Sequence, residues 1–166
     1  MRQSPRPSVA SVVACLALMG VFAGAQADPA VGTWKLNPAK SKYVPGPLPK
    51  SNVITIAAAG TGYHVTAKGE DAAGKPTGID YTATFDGKDS PVKGAPAYDT
   101  TSLKRIDTNT TEQIRKKEGK TVQTATRKIS ADGKTMTGTT RGKDEAGRTL
   151  NTVAVYDRVA AAKPRT

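Results

Sequence analysis

The chain is short of the residues that most reactive sites need. Its 166 residues include one cysteine and one histidine. A structural zinc site uses four cysteine or histidine ligands, and a thiol or hydroxyl nucleophile normally needs a base such as histidine beside it. Neither a G-x-S-x-G motif nor a D-x-[DN]-x-[DN]-G calcium loop occurs in the sequence. We expect no metal, no cofactor and no enzymatic activity, with paired carboxylates left as the open catalytic alternative.

Large apolar side chains are also scarce. Aromatic residues make up 5% of the chain and charged residues 23%, with a formal net charge of +11. So little Leu, Ile, Val and Phe in a charged chain is typical of disorder. Threonine is frequent, however, and its β-branched side chain suits strands. The alternation described below therefore favours a folded β domain.

The longest apolar run lies at the N-terminus, over residues 9–22. It follows two arginines and precedes the small-residue motif A-Q-A, which ends at Ala27. This pattern predicts a cleaved signal peptide over residues 1–27, a periplasmic or secreted product and no transmembrane segment. Lipidation of Cys15 is the weaker alternative, because cleavage before it would leave too short an apolar region.

The rest of the chain alternates between apolar and polar residues, which is the period of a half-buried strand. The clearest examples are residues 63–68 and 79–86. Asp-Gly and related pairs separate such segments and are strong hairpin signals. We expect further strands at residues 53–56, 98–106, 111–117, 121–129, 134–141 and 150–159.

These segments predict an all-β fold, an antiparallel up-and-down meander of eight to ten strands forming a lipocalin-like barrel. The barrel domain is expected over residues 28–159. Its four-proline stretch at 37–50 is predicted to be a surface loop. Residues 160–166 are expected to be a flexible tail.

Residues 69–75 have the G-x-x-x-x-G-K spacing of a phosphate-binding loop. Pro76 stands where that loop needs a hydroxyl, and an alternating strand follows instead of a helix. Residues 142–149 repeat the arrangement with arginine in place of lysine. Two similar hairpin tips explain both copies, and they hint at a loosely duplicated meander.

Basic residues occur in short clusters on three successive predicted strands: Lys104-Arg105, Arg115-Lys116-Lys117 and Arg127-Lys128. Together they predict either a stripe for a polyanion or a solvated face that keeps the barrel soluble, and we favour the solvated face. Few aromatic residues lie among them, which argues against specific nucleic-acid binding.

Trp34 opens the first predicted strand and Arg158 lies near the end of the last. Trp34 is expected to plug one end of the barrel. If the first and last strands pair, Arg158 is expected to stack on the Trp34 ring as a structural cation–π contact.

Both chain ends of the domain resemble a known family. G-T-W-K-L at residues 32–36, V-Y-D-R-V at 155–159 and the stretch 116–134 between them are similar to fatty-acid-binding proteins, which are calycin barrels. The segments GTWKLNPAKSKYVPGP, FDGKDSPVKGAP, SADGK and VYDR together resemble small exported bacterial lipocalin-like proteins, a group that implies no established activity.

The resemblance to fatty-acid-binding proteins implies a ligand carboxylate held near Arg127 and Tyr156, which match two anchors of that family. Ala154 stands where the family has a second anchoring arginine. The loop 37–50 takes the place of the family's helical lid. Both departures weaken the fatty-acid reading.

Taken together, the sequence predicts a non-enzymatic binding protein that carries or senses a small amphipathic, lipid-like ligand. The apolar faces would hold the ligand body and an arginine its acidic head. The alternative is a ligand-free envelope or stress protein whose basic face contacts polyanions. The candidate ligand contacts are Tyr81, Phe85, Arg127 and Tyr156.

Overall fold

The computed structural model describes residues 27–160. The predicted signal peptide up to residue 26, and residues 161–166 of the predicted tail, lie outside this range. Ten strands make up most of the described chain. They are β1 Gly32–Leu36, β2 Ser51–Ala59, β3 Gly62–Glu70, β4 Pro76–Thr84, β5 Ser90–Pro91, β6 Thr100–Arg105, β7 Thr110–Lys117, β8 Lys120–Ile129, β9 Thr135–Lys143 and β10 Thr149–Arg158.

All ten strands belong to one antiparallel sheet with the order β4-β3-β2-β1-β10-β9-β8-β7-β6-β5. β1 pairs with both β2 and β10, so the first and last strands meet and the meander curls. The two edges of the sheet approach each other at Asp80 and Lys93, whose backbones exchange hydrogen bonds of 3.0 and 2.9 Å. The predicted fold class is confirmed: the chain is an up-and-down meander that forms a nearly closed barrel.

The alternation of side chains along each strand determines which residues face the barrel interior. Val65 on β3 and Tyr81 on β4 are cross-strand partners, and they are 2% and 4% exposed. Their neighbours Thr66 and Asp80 are also partners and point to the other face, where Asp80 is exposed. A period of two therefore sends one face of each strand to the interior.

Tight turns join the strands as the glycine-containing pairs predict. Glu118 and Gly119 link β7 to β8 with φ values of 50° and 76°. Positive φ at both central residues is the geometry of the hairpin turn that matches strand twist, and glycine adopts it without strain.

The two G-x-x-x-x-G tips have the same hydrogen bonds. Asp71 Oδ1 accepts from the backbone N–H groups two and four residues later, both at 2.9 Å. Asp144 Oδ1 accepts from the equivalent groups at 3.0 and 2.8 Å. In both tips the aspartate carboxylate accepts hydrogen bonds from backbone N–H groups of the kind that a phosphate-binding loop directs at an anion. The G-x-x-x-x-G spacing therefore belongs to a hairpin turn.

Residues 37–50 leave β1 and return along β10. They begin with a 3-10 turn at Pro38–Lys40, capped by Asn37. The backbone of Lys42 then exchanges two hydrogen bonds of 2.7 Å with Val153, beyond the point where β1 ends. Within residues 27–160, no helix is long and apolar enough to cross a membrane.

Candidate ligand-binding cavity

A cavity of about 550 Å³ lies at the end of the barrel where residues 37–50 and the β9–β10 turn are found. Its wall is formed by inward-facing residues of β2–β4 and β7–β10. Ligand sites for small molecules typically have volumes of about 300–1,000 Å³. The barrel interior therefore has room for a small molecule at this end.

The opposite end of the barrel, called the closed end below, is filled by side chains. Met136 belongs to both regions, because it is 1% exposed within the core and also lines the cavity. It therefore forms the floor of the cavity. The large side chains that fill the closed end are Trp34, Ile56, Tyr63, Leu103, Ile129 and Met136.

A polar cluster seals the closed end. The Tyr63 hydroxyl donates to the Asp28 carboxylate at 2.7 Å, and Arg105 donates to both groups. Burial raises the pKa of Tyr63 to about 12, helped by the adjacent carboxylate. Burial also acts to raise the pKa of Asp28, but hydrogen bonds from Tyr63, the Ala30 N–H and Arg105 outweigh it and hold that pKa below 3.8.

Phe85 belongs to this cluster. Its ring meets Tyr63 edge to face with centroids 4.8 Å apart, and the Arg105 guanidinium lies 4.2 Å from its centroid. Phe85 is not part of the cavity wall. The structure thus separates it from the other predicted ligand contacts.

Trp34 and Arg158 lie opposite each other on β1 and β10. The Arg158 guanidinium carbon is 4.1 Å from the Trp34 ring centroid. The indole N–H donates to the Ala30 carbonyl at 2.9 Å, and Arg158 donates to the carbonyls of Val31, at 2.8 Å, and Gly133. This contact ties both ends of the domain together at the closed end.

Tyr156 lines the cavity within a hydrogen-bonded group. Its hydroxyl accepts from Asn52 at 3.3 Å, and Tyr43 lies beside it in the cavity wall. Burial raises the pKa of Tyr156, while the Tyr43 hydrogen bond and the positive charges of Arg127 and Arg115 oppose the rise. Tyr156 is therefore influenced by the charges of both arginines.

Arg115 is the most constrained cation in the cavity wall. Its Nη1 donates to Gln123 Oε1 and its Nη2 to Gln113 Oε1, both at 3.0 Å. Its guanidinium carbon lies 4.8 Å from the Tyr98 ring centroid. These three neutral partners, called the Arg115 clamp below, orient the guanidinium without cancelling its charge.

Arg127 and Tyr81 also line the cavity. Among residues 27–160, no carboxylate forms an ion pair with Arg127 or Arg115. Burial raises the pKa of Tyr98, and the charge of Arg115 and, less strongly, that of Arg127 oppose the rise. The Tyr81 hydroxyl is buried without a hydrogen-bond partner in the described structure. This end of the barrel interior thus carries positive charge and several hydrogen-bond donors.

Three of the four predicted ligand contacts, Tyr81, Arg127 and Tyr156, lie together in the cavity wall. The sequence did not predict a role for Arg115, Tyr98 or the two glutamines of the clamp. No pattern in the sequence marks them, because the buried face of β7 carries Thr111, Gln113 and Arg115, whereas Ile114 belongs to the other face.

The basic clusters divide between the two faces of the sheet. Arg115 and Arg127 line the cavity, and Arg105 joins the closed end. Their neighbours Lys104 and Lys128 are exposed. Strand alternation thus removes the arginines from the outer surface and leaves lysines there.

A second cavity of about 790 Å³ adjoins the first at the side of the barrel. It lies between the exposed start of β4 and residues 94–96. Ile79 and Glu145 line both cavities. Beside the Asp80–Lys93 bridge, the barrel wall is therefore incomplete.

No protein-family model and no curated protein matches the sequence. Among solved structures, the chain is similar to zebrafish ileal bile acid-binding protein in complex with cholic acid, with a TM-score of 0.49 and 13% sequence identity. The match covers 79% of this chain and 99% of that chain. The strand order and pairing described above establish the barrel independently of this likeness.

Proposed function

We propose that the protein is a non-enzymatic binding protein that holds a small amphipathic anion in the barrel cavity. The observation that carries the proposal is the 550 Å³ cavity, with a packed apolar floor and an Arg127 guanidinium that no carboxylate of residues 27–160 neutralises. This guanidinium is half-buried, and an anionic group beside it would gain charge-assisted hydrogen bonds. An acidic ligand would supply the missing charge.

The proposed contacts are Tyr81, Arg127 and Tyr156. Arg127 holds the acidic group by charge-assisted hydrogen bonds. The two tyrosines offer ring faces to the apolar body of the ligand and hydroxyls to its polar groups. Phe85 has no part in binding, because it packs at the closed end.

The absence of catalysis is part of this proposal. Neither histidine nor cysteine is among the described residues of the cavity wall, and its carboxylates, Asp144 and Glu145, belong to the β9–β10 turn. No group of three or more potential metal-ligating side chains occurs within residues 27–160. These features support a carrier or sensor.

Export to the periplasm is proposed from the leader-like residues 1–27. The test is to find the N-terminal residue of the protein recovered from the periplasm of its own host. Cleavage after Ala27 supports export, and a full-length cytoplasmic product contradicts it.

Native mass spectrometry of the exported protein tests ligand binding. We expect a small molecule to co-purify and to be released on unfolding. Arg127→Met should reduce its occupancy by about tenfold or more, because a charged hydrogen bond is worth about 1.5–3 kcal/mol. Arg141→Met is the matched control, since Arg141 is exposed on β9. A bare polypeptide mass, with no thermal shift across a panel of amphipathic anions, contradicts the proposal.

Polyanion binding by the outer surface is the second candidate. It is favoured by the basic excess of the chain, of which only Arg2 and Arg6 lie in the predicted signal peptide, and by exposed lysines such as Lys104 and Lys128. Retention on heparin or lipopolysaccharide that falls steeply with salt would support it. Absent or salt-insensitive retention would remove it.

A further inference from the structure

We propose that Arg115, held by the Arg115 clamp, is a second anion-binding site, so that the ligand of the cavity is an elongated amphipathic dianion. One acidic group lies at Arg127 and the other at Arg115. The inference rests on the proposed function, because it names the ligand class of the same cavity.

The clamp prepares Arg115 for an anion. Gln113 and Gln123 each accept one hydrogen bond at 3.0 Å, and Tyr98 covers one face of the guanidinium at 4.8 Å. Gln123 is itself fixed, because its Nε2 donates to the Lys143 carbonyl at 2.9 Å. A guanidinium has five N–H donors. Two of these donors bond to the clamp glutamines, and all three clamp residues are neutral.

Two other arginines, Arg105 at the closed end and Arg148 in the β9–β10 turn, are satisfied differently. Arg105 pairs with Asp28, and Arg148 pairs with Asp144 at 2.8 Å. Arg115 has glutamines where those residues have carboxylates. In addition, Arg115 Nε and Gln113 Nε2 are buried and have no partner in the described structure. Buried donors without partners call for an explanation, and an anionic ligand that binds beside them would provide one.

The strand register separates the two arginines. Arg127 is the cross-strand partner of Thr111, and Arg115 lies four residues further along the same strand β7. Four residues extend about 13 Å along the strand, and the next strand lies about 5 Å away at right angles to that direction. The two backbone positions are therefore about 14 Å apart. Backbone positions this far apart suit an elongated ligand that places one acidic group at each arginine.

Titration calorimetry with matched probes tests the inference. Dodecanedioate and dodecanoate have the same carbon number and differ in one carboxylate. We expect the dicarboxylate to bind the purified protein about tenfold or more tightly, the factor that about 1.4 kcal/mol represents. Arg115→Met should abolish this advantage, Arg115→Lys should keep part of it, and the exposed Arg141→Met should leave it unchanged. Circular dichroism checks the fold of each variant.

Each other outcome has a defined meaning. Equal affinities of the two probes, unaltered by Arg115→Met, would overturn the dianion inference and leave the proposed function standing. Tighter binding of dodecyl phosphate than of dodecanedioate would also overturn it, because one doubly charged head would then suffice. If none of the probes binds and no small molecule co-purifies, the inference and the proposed function fall together.

Discussion

Asp28 holds the closed end of the barrel together. It accepts hydrogen bonds from Tyr63 and Arg105 and from the Ala30 N–H at 2.9 Å, and its side chain is 24% exposed. The segment that follows it receives the Trp34 indole and the Arg158 guanidinium. One carboxylate thus anchors the chain where the described strands begin.

Asp28→Asn should reduce the free energy of unfolding by about 2 kcal/mol at pH 7, the scale of a hydrogen bond to a charged group. The folded-state pKa of Asp28 lies below 3.8. Its stabilising contribution is therefore present above that value and is lost as the pH falls through the lowered pKa. Urea unfolding at neutral and acid pH should show a wild-type advantage that disappears in acid.

The exposed Asp80→Asn is the control for this prediction and should change stability little. An Asp28→Asn effect that is the same at neutral and acid pH would show that the charge is unimportant.

Arg158→Lys should also destabilise the closed end, although it keeps the charge. Lysine cannot reproduce the planar stack on Trp34, worth about 1 kcal/mol, or the separate bonds to Val31 and Gly133. We expect a loss of about 2–3 kcal/mol in unfolding free energy. Because Trp34 is the only tryptophan and is fully buried, its acrylamide quenching reports the same site. Unchanged quenching and stability, matching Arg141→Lys, would refute the role of Arg158.

At the scale of the strands, two glycines of one hairpin face different surroundings. A Cβ on Gly69 of β3 would lie 2.1 Å from the Ser51 carbonyl oxygen and 2.8 Å from the Asn52 Cα. A Cβ on Gly78 of β4 would be 3.7 Å from the nearest atom, the Ala67 carbonyl oxygen. β3 and β2 therefore approach too closely at Gly69 for any side chain.

Gly69→Ala should cost about 2 kcal/mol or more, because backbone atoms must move to relieve the overlap. Gly78→Ala is the matched substitution and should be neutral or slightly stabilising, since alanine loses less entropy than glycine in a strand. Chemical unfolding measures both variants. Equal effects at the two positions would show that the close approach at Gly69 is absent in solution.

For the whole molecule, closure of the barrel depends on one short contact. The Asp80–Lys93 bridge joins the two sheet edges, and the second cavity lies beside it. The bridge exchanges two backbone hydrogen bonds. Antiparallel pairs of this kind have Cα atoms about 5.5 Å apart, which lies within the range that a disulfide spans.

A disulfide in the double variant Asp80→Cys/Lys93→Cys should therefore form readily. It would close a loop of roughly 14 residues and stabilise the protein by about 3 kcal/mol. Thermal unfolding with and without reductant measures the gain, and each single-cysteine variant is a control. Failure to oxidise, or no gain on oxidation, would show that the edges do not meet.

Local patterns were sufficient for most of the fold. Alternation within residues 63–68 and 79–86 identified β3 and β4, and Glu-Gly and Asp-Gly pairs identified turns, because strand period and turn preference depend on near neighbours in sequence. The same locality explains why the repeated G-x-x-x-x-G spacing was readable as a pair of hairpin tips.

The sequence by itself determined an antiparallel meander and, for clearly alternating strands such as β3 and β4, the face on which each side chain lies. Only the tertiary structure decided how far along the barrel axis each inward-facing side chain lies. Tyr81 and Phe85 fit the same alternation, yet Tyr81 lines the cavity, whereas Phe85, directly after the end of β4, packs at the closed end. The position of a side chain along the barrel axis depends on the stagger between strands that are distant in sequence. For the same reason Arg105 meets a carboxylate whereas Arg115 and Arg127 face the cavity.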